Sequence, residues 1–214
     1  MISITLAITI LTAIISFTAF SNQKITDDLI FHPPSVKNRN QWYRFLTCAL
    51  IHADIMHLAF NMITFYSFGN MVERSFATLF PGIGSILFIV LYVVSQIACM
   101  IPTYIKHQDD YAYRSLGASG AVSAVVFAGI ILSPLDKLYL MFIPIGIPAF
   151  IFGAIFLGVS LYFDKKGGGG NFNHSAHYWG ALAGIILLLI FSYVFAGFDA
   201  IGNFVYQVKN FMHI

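Results

Sequence analysis

A chain of 214 residues that is 58% hydrophobic and only 9% charged falls outside the composition of soluble globular domains. Its formal charge of +2 does not point to nucleic acid, and its two cysteines, Cys48 and Cys99, lie far apart in apolar sequence and read as buried, inert thiols. The chain reads as one integral membrane domain over residues 1–214, with no separate soluble domain.

Six apolar stretches are each long enough to span, at about 2–20, 53–72, 79–103, 115–134, 138–163 and 175–197. The fold class is therefore all-α, a six-helix polytopic bundle. The first stretch has no Lys or Arg before it and exceeds a signal-peptide core, so it is expected to be retained as a span. The loop at 21–52 carries a Pro33-Pro34 break and then Gln41-Trp42-Tyr43-Arg44-Phe45-Leu46, an aromatic, amphipathic run expected in the interface plane. In span two, His57 and Asn61 are spaced i, i+4 on one face, His52 sits just before the entry, and Glu73 lies at the opposite end. Span four opens with Gly117-Ala118-Ser119-Gly120. Ser133-Pro134-Leu135-Asp136-Lys137 reads as a tight turn into span five. Lys165-Lys166 and four glycines at 167–170 read as a hinge-like link. Span six opens with His177, followed by Gly180 and Gly184 on the same helical face.

Spans two, four and six run the same way, so their N-terminal ends share one membrane face. His57, Ser119 and His177 then lie at a common depth. Each signal has a plainer reading by itself. Gly120, Ala124 and Ala128 form a small-residue stripe suited to helix packing. A histidine at a helix mouth can be an interfacial hydrogen bonder, and a His/Asn pair can bond neighbouring helices. The packing and chemical readings are compatible. The helix start at Ser119 offers backbone N–H groups and a positive dipole end to an oxyanion. The Gly180 and Gly184 face lets span six press on span four and bring His177 to Ser119 as its base. His174 is the competing histidine, placed in the loop before the helix. No acid is placed to orient His177, which favours a Ser-His dyad over a triad. His57 and Asn61 are spaced to reach a developing oxyanion.

The ordered set His52-x4-His57-Leu58-x2-Asn61, Gly117-Ala118-Ser119-Gly120 and Ala176-His177-x2-Gly180-x3-Gly184 resembles the rhomboid family of intramembrane serine proteases. Arg44 and Glu73 also fall where that family has a loop arginine and a span-two glutamate. The resemblance covers about residues 40–190. It implies Ser119 as nucleophile, His177 as general base, and His57, Asn61 and the Ser119 N–H as oxyanion hole. It places His52, Gly117, Gly120, Gly180, Gly184, Arg44 and Glu73 in supporting roles. It implies single-span membrane proteins as substrates, with the lipid bilayer as surroundings, no cofactor and no metal. The sequence sets no oligomeric state. Two positions depart from the family pattern. Ser123 stands where some members carry an aromatic that stacks on the catalytic histidine, and Tyr43, not tryptophan, precedes Arg44.

Two rival readings follow from the same residues. A zinc-dependent hydrolase would draw on His52, Asp54, His57, His174 and His177. A non-enzymatic relative that escorts membrane helices would have lost the serine or the histidine, and both are present. The resemblance implies a bacterial inner membrane, a cytoplasmic N-terminus and an active site toward the outer face. The charge count points the other way. That topology puts Lys24, Lys37, Arg39, Arg44, Lys106, Arg114, Lys165 and Lys166 outside, and only Arg74, Lys137 and Lys209 inside.

Overall fold

The computed structural model describes residues 3–139, 146–166 and 173–213. Their elements in chain order are α1 (Ile4–Phe20), α2 (Gln23–Leu29), α3 (Pro33–Arg39), α4 (Arg44–Thr47) with a 3-10 turn (Cys48–Leu50), α5 (Ile55–Leu79), α6 (Gly84–His107), α7 (Ser119–Leu132), β1 (Lys137–Tyr139), β2 (Gly146–Pro148), α8 (Ala149–Lys165), α9 (His174–Ala196) and α10 (Ala200–Met212).

The helix starts follow local chemistry. Ser3, Asp54, Asn173 and Asp199 each cap a first turn through a side-chain oxygen, on α1, α5, α9 and α10. By length and composition, α6 and α9 each suffice to cross a bilayer. The segment Arg44–Leu50 followed by α5 passes only as a pair bent by 99°. The apolar helices α1 and α7 are shorter.

At 14 residues, α7 is about 21 Å long, against roughly 30 Å of hydrocarbon. It is also the centre of the bundle. Every residue from Gly120 to Ile131 is buried, and α5, α6, α8, α9 and α10 all pack on it. Around it lie Phe65, Phe76, Phe88, Leu91 and Leu188, all wholly buried. The outer faces are apolar as well, with Ile10, Leu11 and Ile14 of α1 and Ile186, Ile190 and Val194 of α9 exposed. Aliphatic surface on that scale is stable only against lipid, as expected of an integral membrane protein.

The α7–α9 crossing is a backbone contact. A Cβ added to Gly180 would run into the carbonyl of Gly120, and one added to Gly184 into that of Ala124. At Gly120 the matching space is filled by the Cys99 thiol of α6. Small residues permit this approach, and dispersion between close backbones supplies the attraction that water cannot supply in lipid.

One expectation of the fold needs correction. The helix of the expected fifth span, α8, begins at Ala149, not at 138, and ahead of it β1 pairs antiparallel with β2, Lys137 opposite Pro148 and Leu138 opposite Ile147. Pro148 has no N–H to continue a helix through it, but it is accepted ahead of the first turn. The turn carbonyls of Asp136 and Pro134 take the Ala149 and Phe150 N–H groups at 2.9 and 3.0 Å. The C-terminal tail is an amphipathic helix, α10, anchored by Phe211 against Phe150 of α8. The glycine link at 167–170 lies outside the described residues.

Polar anchors hold the periphery. Arg44 is buried in the loop, where it donates to the Asp27 and Ile30 carbonyls at 2.8 and 2.6 Å and to Gln41 at 2.7 Å. The Tyr43 ring lies against its guanidinium, and Trp42 stacks on Phe45. Glu73, in the C-terminal half of α5, accepts from the Ile4 N–H, the Thr5 N–H and the Thr5 hydroxyl at 2.7–2.9 Å. It thereby fixes the positive end of α1 to α5. His52 joins α1 to the mouth of α7. Ser16 Oγ donates to the Leu50 carbonyl at 2.9 Å and accepts from His52 Nδ1 at 3.0 Å, leaving Nε2 to accept the Ala118 N–H at 3.4 Å.

Replacing Glu73 with Ala should therefore lower thermal stability in detergent by roughly 1–3 kcal/mol, with α1 the first element to gain hydrogen exchange; an unchanged melting temperature would refute the anchor. His52 gives a pH signature. Burial, then the neighbouring His57, push its pKa from 6.5 down to about 3. It is neutral in the fold and takes up a proton on unfolding below 6.5, so its contribution is present above that pH and is lost as pH falls toward 3. A His52→Gln variant should flatten the acid limb of stability by on the order of a few kcal/mol, measured as melting temperature against pH.

Candidate active site

The chain enters α7 through Gly117, whose φ of +112° lies in the region that excludes side chains. A Cβ there would also stand 2.8 Å from Cε1 and 2.9 Å from Nε2 of His57. The His57 ring thus lies directly against the backbone two residues before Ser119. Gly117 N–H donates to the Cys48 carbonyl at 2.9 Å, which fixes the loop to the turn after α4. Ala118 occupies the N-cap of α7 and supplies no side-chain cap. The first-turn N–H groups, Ser119 among them, therefore have no acceptor within the helix.

His177 lies in the first turn of α9, with Nε2 2.9 Å from Ser119 Oγ. Two features bring them together. The glycine contacts described above set the α7–α9 distance. Asn173 sets the height of the α9 start, because it caps Ala176 N–H at 3.1 Å and donates to Thr103 of α6 at 2.9 Å. Among the described residues no carboxylate hydrogen-bonds His177. Asp164 of α8 instead accepts from the Tyr178 hydroxyl at 3.2 Å. The His177 ring is flanked by Phe156 of α8, at 5.7 Å and 34°, and edge-on by His174, at 5.7 Å. His174 is the first residue of α9, not a loop residue, and it stacks on Phe163 of α8 at 5.4 Å. Ser123 is buried within α7.

The other sequence-predicted residues divide in two groups. His52 sits beneath the site, its ring edge-on to His57 at 5.0 Å. Asp54 accepts the His57 N–H at 2.8 Å, and Asn61, buried one turn on, donates from Nδ2 to the His57 carbonyl at 3.0 Å. One Asn61 N–H is thus engaged by its own helix. Gly120, Gly180 and Gly184 act through the helix crossing. Arg44 and Glu73 anchor the loop and α1, away from Ser119. Among the described residues, no group of three or more His, Cys, Asp or Glu side chains gathers where one metal ion would sit.

Sequence reasoning passed over Phe156, Gly153 and Asn173. Gly153, Phe156 and Ser160 follow helical spacing along α8, a visible stripe. Nothing in that stripe named His177 as the neighbour.

Comparison with known proteins supplies the family. The family described as Rhomboid domain matches residues 39–194, more than half of the chain. The protein named RHOMBOID-like protein 12, mitochondrial, of Arabidopsis thaliana is 33% identical over 156 residues, which is 67% of this chain and 45% of that protein. The protein named Rhomboid protease GlpG, of Haemophilus influenzae, is 29% identical over 164 residues, 75% of this chain and 77% of its own length. Rhomboid protease GluP of Bacillus subtilis is 34% identical over 84 residues, 39% of this chain and 14% of its own length. The chain therefore spans less than half of the plant and Bacillus relatives and about three quarters of the Haemophilus one. With a domain match that runs from the loop before Arg44 through nearly all of α9, the chain belongs to the rhomboid family.

Proposed function

We propose that this protein is an intramembrane serine endopeptidase that cuts transmembrane segments of single-span membrane proteins. The observation that carries this reading is the 2.9 Å contact between His177 Nε2 and Ser119 Oγ at the mouth of a buried helix. A hydroxyl held this way can pass its proton to the imidazole as it attacks a peptide carbonyl. The reaction then runs through an acyl-enzyme. His177 takes the Ser119 proton, the C–O bond forms, and the carbonyl oxygen becomes an oxyanion. His177 returns the proton to the leaving amine as the C–N bond breaks. Water, deprotonated by His177, adds to the ester carbonyl; the bond from Ser119 Oγ to the acyl carbon then breaks, His177 returns the proton to Ser119 Oγ, and the second product leaves with a new carboxyl group.

The oxyanion falls to the Ser119 N–H, His57 and Asn61. His57 is already pressed against Gly117. Asn61 has a second N–H beyond the one bound to His57 O, and that second N–H is the one assigned to substrate. His177 needs no acid partner here. The close α7–α9 approach at Gly180 and Gly184 and the rings beside the imidazole support a dyad.

The six spans of this reading are α1, α5, α6, α7, α8 and α9. In this reading the short α7 starts below the membrane surface, and a polar cavity open to one face is expected to bring water to Ser119. We assign that face to the outside of a bacterial inner membrane, with the N-terminus cytoplasmic. Family resemblance suggests substrates with helix-weakening residues and a small residue before the cut.

Ser119→Ala and His177→Ala should each abolish cleavage of a panel of single-span substrates in proteoliposomes, with melting temperatures near wild type. Full activity of purified Ser119→Ala would sink the proposal. His57→Ala should lower kcat by about 10²-fold with little change in KM, as expected for one lost oxyanion donor; a pure KM effect would move His57 to substrate binding.

A further inference from the structure

We propose that Phe156 of α8 is the positioning residue that holds the His177 ring against Ser119, so that the geometry of the base depends on the seating of α8. This rests on the protease reading above. The ring that would stack on His177 from within α7 is absent, because the position four residues after Ser119 is Ser123. Phe156 supplies a flat face from a different helix, 5.7 Å from the imidazole and tilted by 34°. His174 closes one further side edge-on, at 84°. Between these rings and the α7 backbone, the imidazole is hindered from rotating away from the hydroxyl.

Phe156 is itself placed by a continuous face of α8. Gly153, one turn earlier, is buried against α7, where a Cβ would stand 3.0 Å from Ile130 Cδ1 and 3.3 Å from Phe127. That close approach carries Phe156 to the mouth of α7, with the Phe127 ring at 6.1 Å beneath it. Ser160 continues the buried face one turn on. At its end, Asp164 accepts from Tyr178, the residue after His177. The helix is thus fastened on both sides of Phe156, by packing at Gly153 and by a hydrogen bond at Asp164. Displacing α8 removes the flat face from His177 without touching either reacting group.

The test uses purified protein in detergent and two readouts. A fluorophosphonate probe reports the nucleophilicity of Ser119 without a substrate helix having to pass α8; cleavage of a single-span substrate gives kcat and KM. Phe156→Ala should slow labelling and lower kcat by about three- to tenfold, the worth of one aromatic pair, with KM little changed. Phe156→Tyr should restore both. Phe156→Leu, similar in bulk but without a flat face, should not. Gly153→Val, which pushes α8 off α7, should reproduce the alanine defect. Labelling of Phe156→Ala or Gly153→Val at or above the wild-type rate overturns the proposal and leaves Phe156 as packing alone. If Phe156→Ala does not fold, as read by thermal unfolding, equal rates for the Tyr and Leu variants overturn it. Wild-type protein that labels no faster than Ser119→Ala overturns the protease reading, and this proposal with it, before any α8 variant is compared.

Discussion

The backbone contact between α7 and α9 is the constraint on which the site depends. Gly180 lies on the Gly120 carbonyl and Gly184 on that of Ala124, so the helix axes approach as closely as the polypeptide allows. An imidazole is short. With one methyl group more at either glycine, Nε2 would not reach a hydroxyl presented from the first turn of α7. The same contact has a cost in the membrane, because glycine weakens a helix interior. It is offset by burial: α7 is enclosed on all sides, and its backbone hydrogen bonds are shielded from competing water.

A short central helix creates a second demand. Starting α7 at Ser119 leaves its first N–H groups inside a bundle with an apolar exterior, where an unsatisfied donor is costly. The surrounding elements satisfy the two N–H groups just ahead of the helix. His52 takes the Ala118 N–H, and the Cys48 carbonyl takes that of Gly117. These partners come from the segment between α4 and α5, which is in turn held by the buried Arg44 through the carbonyls of Asp27 and Ile30. The polar loop before α5 therefore serves as the structural floor of the α7 mouth. That accounts for an arginine far from Ser119 sharing a motif set with it.

Much of this was legible in the sequence, for reasons that differ by element. Glycine spacing along one helix face is a useful signal because it permits a close approach, whatever the partner. Gly180 and Gly184 could thus be assigned to a close crossing, and counting helices placed His177 near Ser119. Helix ends were read less well. The stretch from 138 to 148 is as apolar as a span, and hydropathy does not see that Pro148 has no N–H to extend a helix backwards. The C-terminal helix α10 escaped because its apolar residues alternate with polar ones at helical spacing, so it never forms an unbroken run. The side-chain state of Asn61 was also out of reach, since i, i+4 spacing fits a donor aimed at substrate and equally one bound to the His57 carbonyl.

The treatment of His177 shows what residue identity in one helix leaves open. An aromatic at position 123 would have carried its ring on α7, rigidly tied to Ser119. Here that position is a buried serine, and the ring beside His177 belongs to α8. A flat face on α7 would keep the imidazole aligned whatever its neighbours do. The same face on α8 makes alignment conditional on a helix that packs on fewer partners and presents Ile151, Ile155 and Val159 to lipid. Two arrangements with the same ring beside the same base thus differ in what disturbs them. If Phe156 positions His177 as proposed, a change in the lipid around α8, or a partner helix pressed against it, acts on the imidazole through Phe156, Gly153 and Asp164, with no change in the α7–α9 crossing that sets the distance to Ser119.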